Sequence, residues 1–160
     1  MKTLRLRDFD YAIENQTYFV TVRFDNPNGD LFLSELFKAL KQLISETDFS
    51  CDALVVMADH AHFIVHKSSV SSQSLGDLMR RLKSKSVYLL KNRKLSVQSF
   101  WKRGYYERVI RDEHDWKTRM EYLIANPFRA SITGDPYRYP YLFIKGFKDG
   151  ATQGRPLRME

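Results

Sequence analysis

His60 and His62 flank a single alanine in Met57-Ala58-Asp59-His60-Ala61-His62-Phe63-Ile64-Val65-His66. Apolar residues alternate with histidines here, which is the period of a strand with one buried face. Ala61, Phe63 and Val65 then point to the core, while His60 and His62 share the opposite face. Side chains two residues apart on a strand stand about 7 Å from each other, close enough for two imidazoles to converge on one metal ion. The same spacing also suits two polar residues on the wet face of a half-buried strand. Spacing alone leaves both readings open.

A second group of residues lies 60 positions downstream. Placed on a helix at about 100° per residue, Trp116, Met120, Leu123 and Ile124 form one apolar stripe. Tyr122 and Asn126, at i and i+4, stack on a different face with Asp115 and Arg119 beside them. A tyrosine hydroxyl and an amide oxygen on one face are groups that can do chemistry, although a surface Tyr covering a neighbour fits the helical geometry as well. Other candidates fall away on geometry. Tyr105 and Tyr106 are adjacent in a strand and face opposite sides. His66 shares the face of His60 but is six residues on, about 20 Å along a strand. His114 sits at a helix start and reads as a surface residue, and Glu107 is a candidate to support a metal ligand from behind.

These residues need a scaffold, and the pattern of the chain specifies one. Thr17 to Phe24 is rich in β-branched and aromatic residues and reads as a strand after an irregular lead-in over 1–16. The turn cluster Asp25 to Asp30 precedes a helix from about Leu31 to Ser45. Asp52 to Met57 is a second strand, joined to the histidine strand by the short Ala58-Asp59 link of a hairpin. The polar loop Ser68 to Ser74 can cap a helix from about Leu75 to Asn92. Tyr105 to Arg111 reads as a fourth strand, followed by a helix from Asp112-Glu113 to Asn126 that Pro127 should stop. An aromatic, proline-limited arm (134–141) and a loose tail (about 149–160) complete the chain. The order strand–helix–strand–strand–helix–strand predicts an α+β, ferredoxin-like antiparallel sheet. Both of its helices cover one face, and an additional C-terminal helix carries the tyrosine.

With 160 residues, 43% of them hydrophobic and 14% aromatic, one folded domain spanning 1–160 is expected, its core at about 15–145. The net charge of +7 and a pI near 9.5 favour a polyanionic partner. The charge is concentrated. From Leu78 to Lys94 the chain carries Arg80, Arg81, Lys83, Lys85, Lys91, Arg93 and Lys94 with no acidic residue, which favours a phosphate-facing surface over a merely solvated helix face. Lys102 and Arg103 extend it in the basic aromatic turn Phe100-Trp101-Lys102-Arg103-Gly104, and Arg119, one turn before Tyr122, is a further candidate phosphate contact. A lone Cys51 suits a reducing compartment and reads as a small buried residue. The first residues lack the apolar core of a signal peptide, and no apolar run approaches 18 residues, so a cytoplasmic protein without a membrane segment is expected.

Taken together, the motifs resemble a known family. His60-Ala61-His62 resembles the HUH motif of single-tyrosine transposases of the insertion-sequence-200/605 group, with Ala61 smaller than the family's usual middle residue. Phe100 to Arg111 and Tyr122-Leu123-Ile124-Ala125-Asn126-Pro127 are similar to segments of one branch, the REP-associated tyrosine transposases. The resemblance spans roughly residues 15 to 145. It implies that Tyr122 is the nucleophile and that His60, His62 and Asn126 hold a divalent metal, Mg²⁺ or Mn²⁺. It also implies a prokaryotic, nucleoid-associated enzyme that nicks and rejoins single-stranded DNA near hairpins through a 5′-phosphotyrosine, as a monomer or a homodimer. Two imidazoles and an amide oxygen with open positions suit those ions better than a closed zinc site. Two other readings stay open at this point: a non-cleaving protein that grips nucleic-acid hairpins through the basic helix, and, more weakly, a two-His-one-carboxylate iron site.

Overall fold

Eight elements alternate along the chain of the computed structural model, which describes residues 16–27, 29–67, 72–93, 95, 97–130 and 134–146. They are β1 (Thr17–Arg23), α1 (Gly29–Ser45), β2 (Phe49–Val56), β3 (His60–Lys67), α2 (Leu75–Asn92), β4 (Tyr106–Ile110), α3 (Glu113–Arg129) and β5 (Leu142–Ile144). The strands form one antiparallel sheet in the order β4-β1-β3-β2-β5. Its first four strands carry the predicted ferredoxin-like arrangement. The lead-in over 1–15, most of the Ser68–Ser74 loop, Lys94 and the tail lie outside the described residues.

Alternation along the strands sorts the side chains between two cores. Tyr18, Val20, Val22, Ala61, Phe63 and Val65 point to one face, where they pack against Phe32, Leu36, Leu40 and Leu43 of α1 and Leu78, Met79 and Leu82 of α2. Phe19, Ala53, Val55 and Ile64 point to the other, against Met120, Leu123 and Ile124 of α3. The histidine strand is therefore buried on both sides rather than half wet. The link to β2 is the expected hairpin, closed by Met57 N–H donating to His60 O at 2.7 Å. Ser74 caps α2, and its hydroxyl and the Asp77 carboxylate each accept from the other's backbone N–H.

One expectation needs correction. Pro127 does not stop α3, which continues to Arg129. Proline's fixed φ is itself helical, and what it removes is one N–H, the donor owed to Leu123 O; with a single turn left, the helix absorbs that loss. The aromatic, proline-limited arm leads into a further strand, β5. After a short 3₁₀ turn at Pro136–Arg138, Tyr139 donates its hydroxyl to Val56 O at 2.7 Å and Val56 N–H donates to Tyr141 O at 2.9 Å. These bonds carry the chain into β5 along the edge of β2. Element ends shift by a few residues elsewhere: β2 starts at Phe49 and is bulged between Cys51 and Ala53.

Candidate functional site

Register places the histidines. β1 pairs with β3 so that Thr21 lies opposite His62 and Arg23 opposite His60, all four on the α3 face. Thr21 Oγ1 lies 2.8 Å from His62 Nδ1, and the Asp59 carboxylate lies 2.7 Å from His60 Nδ1. Each ring is thus held at Nδ1, which leaves Nε2 as the atom available to a ligand, the arrangement in which an outer partner orients a metal-binding imidazole. The two ring centroids are 4.7 Å apart. Burial, with help from the neighbouring His60 and Arg129, pushes His62 down to about 3, so its ring is neutral and keeps its lone pair. The His60 ring beside Asp59 holds that carboxyl below its ordinary value.

α3 brings the tyrosine over this pair. Asp112 caps the helix by accepting Asp115 N–H at 2.8 Å, and Trp116 anchors the first turn by donating its indole N–H to Asp52 at 3.1 Å. The expected stripe of Met120, Leu123 and Ile124 faces the sheet. Tyr122 projects from its edge, 39% exposed. Its ring meets His62 edge-on at 5.5 Å and Phe19 at 5.9 Å, and Phe19 stacks on His62 at 5.2 Å. His60, His62 and Tyr122 are therefore gathered at one spot.

Asn126 is buried behind the tyrosine and donates its amide to Tyr122 O at 3.3 Å. Because a carbonyl can only accept, the amide nitrogen must face it, and the amide oxygen is the atom left to a ligand. Among the described residues no group of three His, Cys, Asp or Glu side chains is placed to hold a metal. A donor set of two imidazoles and an amide oxygen fits an ion that keeps open positions for phosphate oxygens.

The basic residues divide. Arg119 stays by the site, its guanidinium 5.9 Å from the Phe19 ring and 3.8 Å from Asp115. α2 lies across the sheet from the histidines, and much of its charge is neutralised in three dimensions. Arg81 pairs with Glu46 at 2.8 Å, Arg93 with Glu35 at 2.8 Å and Arg80 with Asp77. Lys83 donates to Lys102 O at 3.0 Å and Gly104 O at 2.7 Å, tying the basic turn to the helix, and burial lowers its pKa. The absence of acidic residues within the run is thus no measure of its free charge. Lys85, Lys91, Lys102 and Arg103 are exposed, with Lys102 3.9 Å from Asp25.

Other residues fall as follows. Glu107 is paired with Val20 and buried on the α1–α2 side, away from the histidines, so it does not support them. His66 is bonded instead to Asp52 at 3.1 Å. Tyr105 is buried in the α1–α2 core, Tyr106 lies opposite Thr21 on the other face, and His114 is exposed. Thr21, Asp59 and Phe19 were not anticipated as site residues; strand register, which a single sequence does not display, is what brings Thr21 and Phe19 to His62. Arg129 was hidden by the expectation that the helix ends before it.

Comparison with known proteins points the same way. The family model described as "Transposase IS200 like" matches residues 19–126. An uncharacterized protein of Haemophilus influenzae is 24% identical over 159 aligned residues, covering 79% of this chain and 87% of that protein. The REP-associated tyrosine transposase of Escherichia coli K12 is 21% identical over 134, covering 82% and 78%. A solved REP-associated tyrosine transposase bound to a REP hairpin superposes with a TM-score of 0.67 at 21% identity, covering 86% of this chain and 82% of that one. This last likeness is one of fold.

Proposed function

The chain belongs to the IS200-like transposase family, and on that premise we propose that it is a metal-dependent enzyme that cleaves and rejoins single-stranded DNA beside hairpins, with Tyr122 as nucleophile. The observation that carries the reading is the edge contact of the exposed Tyr122 ring with His62, at 5.5 Å, beside the His60–His62 pair. A structural tyrosine has no need of two imidazoles oriented at their far nitrogens. That the solved relative is bound to a REP hairpin supports hairpin DNA as the substrate class.

In this mechanism Tyr122 Oη attacks the scissile phosphorus in line, the Oη–P bond forms and the P–O3′ bond breaks. The phenol proton ends on the departing 3′ oxygen, so the reaction balances without a further reactant. The 5′-phosphotyrosine conserves the bond for rejoining. Nε2 of His60 and of His62, with the Asn126 amide oxygen, would hold Mg²⁺ or Mn²⁺, which when bound polarises the phosphate and offsets its developing charge. The Thr21 and Asp59 oxygens hold the two rings at Nδ1 and leave each Nε2 to the ligand.

The test is incubation with labelled single-stranded hairpin oligonucleotides and Mn²⁺, followed by denaturing electrophoresis. A covalent protein–DNA adduct is expected, absent in Tyr122→Phe and with chelator. Tight, salt-sensitive binding with no adduct would instead identify a non-cleaving hairpin-binding protein.

A further inference from the structure

The last turn of α3, beyond Pro127, places a cation on the tyrosine. The Arg129 guanidinium carbon lies 4.0 Å from the centre of the Tyr122 ring, and Arg129 Nη2 donates to Tyr122 O at 3.0 Å. Arg129 is exposed, and among the described residues no carboxylate pairs with it. Arg108 and Arg119, by contrast, are both drawn to Asp115 at the other end of α3.

We infer that Arg129 is a phosphodiester-binding residue of the reaction: the fork lies on the nucleophile's ring and offers its remaining N–H groups to the oxyanion that Tyr122 attacks. The inference rests on Tyr122 as nucleophile. A guanidinium has five N–H donors in a planar fork, and the Tyr122 carbonyl engages one nitrogen. Stacking on the ring and bonding to the carbonyl of the same residue fix the fork relative to the phenol. Asp115 neutralises Arg108 and Arg119, whereas Arg129 lies on the Tyr122 ring with no carboxylate partner among the described residues. A phosphate oxygen brought to Tyr122 Oη comes to a side chain on which the fork already lies, which is the preorganisation that stabilises charge developing at phosphorus.

Two measurements test this on the intact protein. In the first, 3-fluorotyrosine is incorporated and the Tyr122 resonance is identified by its loss in Tyr122→Phe. With chelator present, diethyl phosphate, a monoanionic diester, is expected to shift that signal, and neutral triethyl phosphate is not. The response should vanish in Arg129→Met. An equal response in Arg129→Met overturns the inference. In the second, single-turnover adduct formation is followed against hairpin oligonucleotide concentration. Arg129→Met is expected to lower the maximal rate about tenfold or more, with half-saturation moved less than about threefold. A change confined to half-saturation would make Arg129 a general DNA contact and overturns the inference. Arg129→Lys keeps the charge without the fork; it should retain the diester response and recover part of the rate, which guards against a folding defect in the methionine variant. If the wild type forms no adduct, the nucleophile reading fails, while the fluorine titration still decides whether Arg129 binds a diester.

Discussion

Thr21 Oγ1 and His62 Nδ1 lie 2.8 Å apart across the β1–β3 pair, so the imidazole's far nitrogen is aimed by a residue 41 positions away in the chain. An outer partner of this kind typically contributes 10- to 100-fold to the affinity of a metal-binding histidine. Thr21→Val keeps the shape of the side chain and removes the hydroxyl. It is expected to weaken Mn²⁺ binding by about tenfold or more, read by electron paramagnetic resonance titration of the unbound ion. Thr21→Ser should restore most of it. Unchanged affinity in the valine variant would show that the ring is held by packing against Phe19 alone.

Binding of a divalent ion by the native fold alone must raise its stability. At a hundredfold excess over the dissociation constant the gain is about 2.7 kcal/mol, several degrees in the melting temperature of a domain of this size. Mn²⁺ should therefore raise the melting temperature of the wild type, chelator should reverse the rise, and His60→Ala should abolish it. An equal rise in His60→Ala would place the ion elsewhere.

These two tests touch both what the chain displays and what it hides. The alternation of Ala61, Phe63 and Val65 with His60 and His62 is local, so the histidine face could be read directly, and so could the stripe of Met120, Leu123 and Ile124 that leaves Tyr122 at its edge. The βαββαβ order followed from periods of two and 3.6 residues. What stayed hidden is long-range. The partners of the arm (Tyr139 to Val56), of Arg81 (Glu46) and of Arg93 (Glu35) lie 35 to 83 residues away, and no local period encodes them. Pro127 misled because its usual effect is to break helices, whereas in the final turn it costs one hydrogen bond.

Cys51 offers a check on the sheet edge. Its thiol donates to Ala53 O at 3.3 Å across the bulge, and burial, with the neighbouring Asp52 carboxylate, pushes it from 9.0 to about 12. A thiol raised on folding contributes stability that is fully present below pH 9 and lost as pH rises toward 12. At pH 8 its thiolate fraction falls about a thousandfold relative to an unperturbed thiol. Iodoacetamide at pH 8 should accordingly modify the folded protein at least a hundredfold more slowly than the chain in urea. Comparable rates would mean that the β2 bulge opens readily.

The basic helix supplies the last prediction, because its residues do different things. Arg81 is bound to Glu46, the residue after α1, and Arg93, the C-cap of α2, to Glu35 within α1, so they join the two helices. Lys83 is committed to the carbonyls of the 102–104 turn. Lys85 and Lys91 are exposed and are available to phosphate. Replacing both by Gln should weaken hairpin binding and lower the slope of log affinity against log salt by about one for each phosphate no longer neutralised. Since α2 stands on the opposite side of the sheet from His62, the maximal rate of adduct formation at saturating DNA should not change. Lys83→Met should act in the opposite sense, lowering stability by leaving the turn carbonyls without their donor while altering the salt slope little. An unchanged slope in the double glutamine variant would reduce α2 to a solvated face and shift the search for DNA-binding residues to Lys102, Arg103 and the arginines of the α3 side.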